Sequence, residues 1–278
     1  MANPLTKHFR QPAIYLALPS RGRFYPDDGI ELTATGTIPV YPMTVKDELA
    51  LKTPDGLLNG QAVIDVIKSC CPAIRDPWEM PAVDLDPIFI AMRLASYGKG
   101  MDFNTKCPHC KETSEYTIDL NKILDTLSTA DYSKLFVLDG LSIKFKPQKY
   151  KNMNRISMIN FEQDKLIQNV INNETLSEEE KMTQFKVSFE RIRQLNIDLV
   201  IDSIDSITTQ QGEMVNDRGM IEEYLNNCSR QVYEDIKKAI EELVDAYKIK
   251  PLELTCSSDE CGKPFTTTLT FDQSNFFE

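Results

Sequence analysis

The stretch Cys107-Pro108-His109-Cys110 decides the fold of this chain together with its distant counterpart, Cys256-Ser257-Ser258-Asp259-Glu260-Cys261. Each pair of cysteines lies between two segments of strand-like composition, which are residues 101–105, 114–118, 252–255 and 265–271. A strand, a two-cysteine turn and a second strand, repeated twice, form the pattern of a four-cysteine metal ribbon. If the two turns face each other, residues about 150 positions apart are joined, and the chain between them becomes an insertion.

Three chemistries compete for these cysteines. Cys-Pro-His-Cys is also the frame of periplasmic thiol oxidants, but no thioredoxin-like βαβ pattern surrounds it here, which disfavours a thiol oxidoreductase. A structural disulfide is the second possibility. The sequence shows no signal-peptide pattern that would carry it to an oxidising compartment, so we expect reduced thiols.

A structural metal is the third possibility and the one that the spacing favours. The expected ligands are four thiolates, from Cys107, Cys110, Cys256 and Cys261. Four cysteines leave no open coordination position, so we expect one structural zinc per chain and not a catalytic one, although iron suits the same ligands. The remaining cysteines, Cys70, Cys71 and Cys228, have the pattern of buried thiols in helices.

Composition limits the classes of function. The chain has 278 residues, enough for two domains, and 42 acidic against 31 basic side chains give a net charge of −11. This balance argues against binding to nucleic acid or to an anionic membrane. Only two histidines are present, no phosphate-cradling glycine-rich loop is found and no run is long enough to span a membrane. We therefore expect no catalytic residues and no small-molecule substrate.

Residues 1–29 predict an extended N-terminal arm. The run at residues 18–26 combines Pro, Gly and Ser with two arginines and two large aromatics, and it is not compatible with a helix. The arm either packs on its own domain through the aromatics or binds a partner protein, since Arg and aromatic residues are common interface anchors. The candidate partner-binding residues are Arg21, Arg23, Phe24 and Tyr25.

Residues 30–147 together with 251–278 predict an α+β core that carries the ribbon. We expect β segments at 30–33 and 37–41, a helix capped by Thr44, helices over 61–70, 86–98 and 119–127, and a hairpin around Asp139-Gly140. The expected cap of the 86–98 helix is Asp86. The fold class is thus α+β, with a small β-containing domain, a split four-cysteine zinc ribbon and a mainly helical insertion.

Residues 148–250 predict that helical insertion. Helical periodicity dominates, and no strand pattern is found over about a hundred residues. A helix is expected to begin at a cap on Ser177. Between residues 173 and 247 there are 17 acidic and 8 basic side chains, so most of the acidity of the chain belongs to this region. Such a face is usually solvated, but it also suits a partner protein.

The order of several short motifs resembles a known family, the baseplate hub and hub-assembly proteins of T-even-like contractile-tailed bacteriophages. The motifs are Leu-Pro-Ser-Arg-Gly-Arg-Phe-Tyr, Val-Tyr-Pro-Met-Thr followed by Lys-Asp-Glu, Arg-Leu-Ala-Ser-Tyr-Gly and Cys-Pro-His-Cys. They cover about the first 120 residues well, whereas the helical region departs from the family core.

The resemblance implies a structural protein of virion assembly. Its partners would be other baseplate and tail proteins, and its location the tail baseplate of a virion assembled in the host cytoplasm. The resemblance leaves two roles open, a permanent baseplate component and a transient hub-assembly chaperone that leaves before the tail is complete.

Overall fold

The computed structural model of the protein describes residues 4–52, 60–127, 131–173 and 175–269. Within these ranges the chain forms eight α-helices and small antiparallel sheets, which confirms the predicted α+β class. The chain divides into two compact units. The first contains Met1–Pro77, Asp84–Thr129 and Tyr247–Glu278, and the second contains Trp78–Val83 and Ala130–Ala246.

In its described residues, the first unit contains three two-stranded sheets and four α-helices. The strands are β1 (Ile14–Leu16) with β2 (Ile38–Val40), β3 (Gly100–Lys106) with β4 (Thr113–Asp119), and β9 (Leu252–Thr255) with β10 (Pro264–Thr267). The helices are α1 (Val45–Leu51), α2 (Gln61–Cys70), α3 (Leu85–Tyr97) and α4 (Leu120–Thr126). Helix α3 is the centre of this core, because every residue from Pro87 to Leu94 is buried.

Most predicted helix ends in this unit are confirmed. Thr44 forms a capping box with Asp47 at the start of α1, and Gly98 ends α3 with a positive φ of 87°. Asp119 caps α4 through a hydrogen bond from the backbone of Asn121. These are local signals, and each needs only a few neighbouring residues to act.

Two local predictions were wrong. Helix α3 begins at Leu85 and not at Asp86, because the 3₁₀ turn Ala82–Asp84 leads directly into it and makes Asp84 the N-cap. The β segment predicted at 30–33 is reduced to one isolated bridge between Ile30 and Ile74. The segment at 37–41 does form β2, but its partner is β1.

The second unit combines one sheet with the long helices. Its strands are β5 (Phe136–Leu138), β6 (Leu141–Phe145), β7 (Ile204–Thr208) and β8 (Met214–Val215), hydrogen-bonded in that order. Its helices are α5 (Tyr150–Asn172), α6 (Glu178–Ser203), α7 (Arg218–Asn227) and α8 (Arg230–Tyr247). The hairpin around Asp139-Gly140 is confirmed, and so is the start of α6 at Ser177, which forms a capping box with Glu180.

The expectation of no strand between residues 148 and 247 was wrong, since β7 and β8 lie there. Helix α6 passes into β7 at Ile204 with no glycine or proline between them. The apolar residues on both sides of this junction therefore have the sequence pattern of one continuous helix. The buried residues Ile204 and Ile207 complete the sheet against Phe145 and Ile143 of β6. Every helix in the described ranges is too short or too polar to cross a membrane.

The pairing of β6 with β7 provides a test of the predicted insertion, whose boundaries of 148 and 250 stay a prediction. We expect a variant in which a Gly/Ser linker replaces residues 130–246 to fold and to bind metal. The variant lacking residues 148–250 should be less soluble, because it removes β7 from one edge of β6 and exposes the buried Ile143 and Phe145. Thermal melting and elemental analysis of both variants make the comparison. Equal or better behaviour of the 148–250 deletion would support the boundary predicted from sequence.

Candidate metal centre

Two β-hairpins of the first unit carry the four cysteines. In the first hairpin, β3 pairs with β4 from Gly100 opposite Asp119 to Lys106 opposite Thr113. In the second, β9 pairs with β10, with Leu254 opposite Phe265. The turn of each hairpin holds one cysteine pair, as the sequence predicts.

The two turns are built alike. The N–H of the first cysteine donates to the carbonyl two residues beyond the second cysteine, Cys107 to Glu112 at 2.9 Å and Cys256 to Lys263 at 3.0 Å. The residue directly after the second cysteine has a positive φ, 66° at Lys111 and 53° at Gly262. This repeated turn directs both sulfurs of each pair to the same side of their hairpin.

The four sulfurs converge on one point. Cys107 Sγ lies 4.0 Å from Cys261 Sγ, Cys110 Sγ lies 3.6 Å from Cys256 Sγ, and all four atoms lie within 4.8 Å of one another. A tetrahedron of thiolates about 2.3 Å from a zinc ion has edges of about 3.8 Å, which matches these separations. A disulfide needs about 2.05 Å between sulfurs, and all four thiols are free. The four cysteines are therefore placed to hold a metal ion.

Side chains behind the sulfurs hold the two hairpins together. Cys107, Cys256 and Phe265 form a small buried cluster, and Tyr116 packs against it edge-on to Phe265, with ring centres 6.1 Å apart. The Tyr116 hydroxyl donates to the carbonyl of Thr255 at 3.1 Å, which links the first hairpin to the second. Thr105 and Thr267 share a hydroxyl hydrogen bond of 3.2 Å between the same hairpins.

The thiol of Cys107 loses its proton more easily than a free cysteine does, which favours binding of a cation. Burial raises the pKa of the Cys107 thiol, but hydrogen bonds from the backbone of Cys110 and His109 outweigh burial and lower the pKa to about 6. A backbone hydrogen bond from Ser258 lowers the pKa of the neighbouring Cys256 thiol, but burial and hydrogen bonding with Cys110, Cys107 and Cys261 together raise it to about 12. A cation bound among the four sulfurs would stabilise them as thiolates, since metal ligands must be deprotonated.

The candidate partner-binding residues form a separate, ordered loop. Arg21 and Arg23 are exposed, whereas Phe24 and Tyr25 are half-buried. Arg21 and Phe24 have positive φ values of 55° and 69°, which non-glycine residues rarely adopt. These four residues are not part of the cysteine cluster.

A buried carboxylate that sequence reasoning missed holds this loop. Asp84 is fully buried and accepts hydrogen bonds from Ser20 N at 2.9 Å, Ser20 Oγ at 2.5 Å and Tyr25 OH at 2.9 Å. Burial raises the pKa of Asp84 to about 6, although these three donors oppose the shift. Burial also raises the pKa of Tyr25, and the charge of Asp84 adds to that effect. No local sequence signal marks the contact, because 64 residues separate Ser20 from Asp84.

Comparison with known proteins gives one match. A family model described as T4 bacteriophage base plate protein matches residues 18–278. No curated protein and no solved structure matches the chain. The matched range includes the loop at residues 18–25, all four cysteines and the long helices.

The first prediction from this site concerns metal content. We expect Cys256→Ser to lower bound metal from one ion per chain towards zero, and to lower the melting temperature by about 10 °C, since structural metal contributes directly to folding free energy. Elemental analysis and thermal melting measure the two effects. Cys228→Ser, which removes a thiol outside the cluster, should leave metal content unchanged. Metal-free wild-type protein whose four cysteines react freely with a thiol reagent would contradict the prediction.

The second prediction concerns Asp84. Because its folded-state pKa of about 6 lies above the usual value of about 3.9, its contribution to stability is full below about pH 4. It is lost as pH rises through about 6. The free energy of unfolding of the wild type, minus that of Asp84→Asn, should therefore fall by on the order of 2 kcal/mol between pH 4 and pH 7. Urea unfolding at several pH values measures this difference. The same slope for Asp65→Asn, which removes an exposed carboxylate of α2, would contradict the assignment.

Proposed function

The chain belongs to the T4 bacteriophage base plate protein family, and from this premise we propose that it is a non-catalytic component of the baseplate hub. The family match carries the proposal, because it spans residues 18–278 and so includes all of the second compact unit and most of the first. A baseplate protein belongs to the virion tail and acts through contacts with other tail proteins. The hub position and the mode of contact are the parts that we propose.

The metal in this proposal is one structural zinc. Cys107, Cys110, Cys256 and Cys261 would hold it, and four thiolates with tetrahedral spacing suit zinc. Zinc supplies no redox step and, with four protein ligands, offers no position to a substrate. Its role is to fix the two hairpins against each other, which gives the first unit a defined surface. This arrangement supports a structural function over thiol oxidoreductase chemistry.

The loop around Arg21 and Arg23 would be one contact site for a tail protein. Asp84 holds the neighbouring Ser20 and Tyr25, so the loop is shaped before a partner arrives. Preordered loops lose little conformational entropy on binding, which favours affinity. The exposed arginines offer planar guanidinium groups for carboxylates of the partner. The acidic helices of residues 173–247 would be a second contact site.

Charge reversal in the loop tests this role better than deletion. Deleting residues 1–25 would remove β1 and the buried Leu16 and Leu18, and therefore disturb folding. We expect Arg21→Glu combined with Arg23→Glu to reduce incorporation into phage tails at least tenfold while the purified protein stays folded and metal-loaded. Lys46→Glu reverses one exposed cation on α1 and serves as the control for a charge change outside the loop. Normal tail assembly by the double variant would refute the loop's role.

Mass spectrometry of purified particles tests the position in the virion. A hub component is present at a fixed copy number in every mature particle. If the protein is absent from particles whose assembly still requires it, the transient hub-assembly chaperone replaces the hub component as the function.

A further inference from the structure

The second unit contains a basic cavity of about 570 Å³. Its lining consists of Lys146, Pro147, Lys149, Lys151, Asn152, Arg155, Asp202 and Arg218. Five of these eight residues are cationic and one is acidic. The cavity is thus opposite in charge to the acidic helical region, in which 17 acidic side chains outnumber 8 basic ones. Its volume lies in the range of about 300 to 1,000 Å³ that is usual for ligand pockets.

The ion pairs around the cavity leave two cations over. Glu79 pairs with both Lys149 and Lys151, and Arg218 lies 3.3 Å from Asp198 and 3.4 Å from Asp202. The ion pairs found in the described part of the chain include none with Lys146 or Arg155. Glu79, Asp198 and Asp202 thus form ion pairs with three of the five cations. The other two cations, Lys146 and Arg155, can contact a ligand.

Hydrogen bonds fix the segment that carries Lys146. Lys146 N donates to the carbonyl of Ser203 at 2.9 Å, next to the buried Pro147. Gln148 Nε2 donates to the carbonyl of Leu199 at 2.8 Å and to Ser203 Oγ at 2.7 Å. The link between β6 and α5 is thus fixed against the end of α6, and the cavity is formed before any ligand binds.

Asp202 is the one acidic residue among the eight described residues that line the cavity. It accepts a hydrogen bond from Asn152 Nδ2 at 3.1 Å and lies beside Arg218. Burial raises the pKa of Asp202, although Arg218, Arg155 and Lys146 oppose the shift and Asp198 reinforces it. The charges of Lys146 and Arg155 therefore act on the cavity interior, and an additional carboxylate placed there would meet an attractive potential.

We propose that this cavity binds an acidic peptide segment of a neighbouring tail protein, with Lys146 and Arg155 as the principal carboxylate contacts. The inference rests on the proposed function in tail assembly and adds a second-unit docking site with its ligand class. Electrostatic complementarity of this kind sets specificity and association rate between proteins.

A peptide fits the cavity better than a single phosphate does. The cations come from three places in the chain, the link after β6, the first two turns of α5 and the start of α7. Five cationic side chains along a cavity of about 570 Å³ can contact several carboxylates of one peptide, whereas a single phosphate would contact only some of them. The buried Pro147 adds an apolar wall for the stem of a Glu or Asp side chain.

The test uses fluorescein-labelled hexaglutamate as the probe, with labelled hexaglutamine as the uncharged control. Fluorescence anisotropy at low salt should show hexaglutamate binding to the full chain, and hexaglutamine should not bind. We expect Lys146→Glu and Arg155→Glu each to weaken binding at least tenfold. Lys186→Glu reverses an exposed charge on α6, sixteen residues and about 24 Å along the helix from Asp202. It should change affinity less than twofold.

Three outcomes would overturn the proposal. Equal loss in Lys186→Glu would show that only total charge matters. Pyrophosphate binding with no hexaglutamate binding would assign a small-anion site. Sedimentation that shows a dimer of the full chain, dissociated by Lys146→Glu, would assign the cavity to a second copy of this chain. The binding assay uses purified protein, so its failure leaves the test of hub incorporation by particle composition intact, and the reverse also holds.

Discussion

The convergence of four sulfurs from two distant turns is the constraint on which the first unit depends. Closing a loop of about 150 residues costs on the order of 5 kcal/mol in chain entropy. Two isolated hairpins of four to seven residues per strand are marginal in water, and the small cluster of Tyr116 and Phe265 adds only modest burial. The structural zinc that we propose for these four thiolates would release on the order of 10 kcal/mol or more on binding, which exceeds the closure cost. In this proposal the hairpin pair is a metal-dependent element.

Burial of Asp84 is a second constraint of the same kind. The carboxylate leaves water, at a cost that the raised pKa reflects, and three hydrogen bonds from Ser20 and Tyr25 offset part of it. Positive φ values at Arg21 and Phe24 add about 1 kcal/mol or more each. Positive φ values also occur at Lys111 and Asp139, where they close turns. Together with the hydrogen bonds to Asp84, this backbone conformation gives the loop one defined shape.

Sequence reasoning succeeded where the signal is local and failed where it is distributed. Cysteine spacing predicted the site, and Ser177, Gly98 and Asp139-Gly140 predicted their caps and turn. Strand β7 was missed because no breaking residue separates it from α6. The role of Asp84 was missed because its partners lie some 60 residues earlier. The basic cavity was missed because its cations are spread over residues 146–218, where 12 acidic and 10 basic side chains nearly cancel in a charge average.

The basic cavity belongs to a chain of net charge −11, and this contrast affects which anions can bind. A long polyanion such as nucleic acid must approach across acidic surface, and repulsion opposes it over the Debye length of about 8 Å at physiological salt. A short acidic peptide that enters the cavity meets mainly Lys146 and Arg155, whose charges no ion pair in the described chain neutralises. The net charge thus disfavours long polyanions, while the proposed site would accept a short acidic segment of a protein. That selectivity would suit a tail protein that acts through contacts with its protein neighbours.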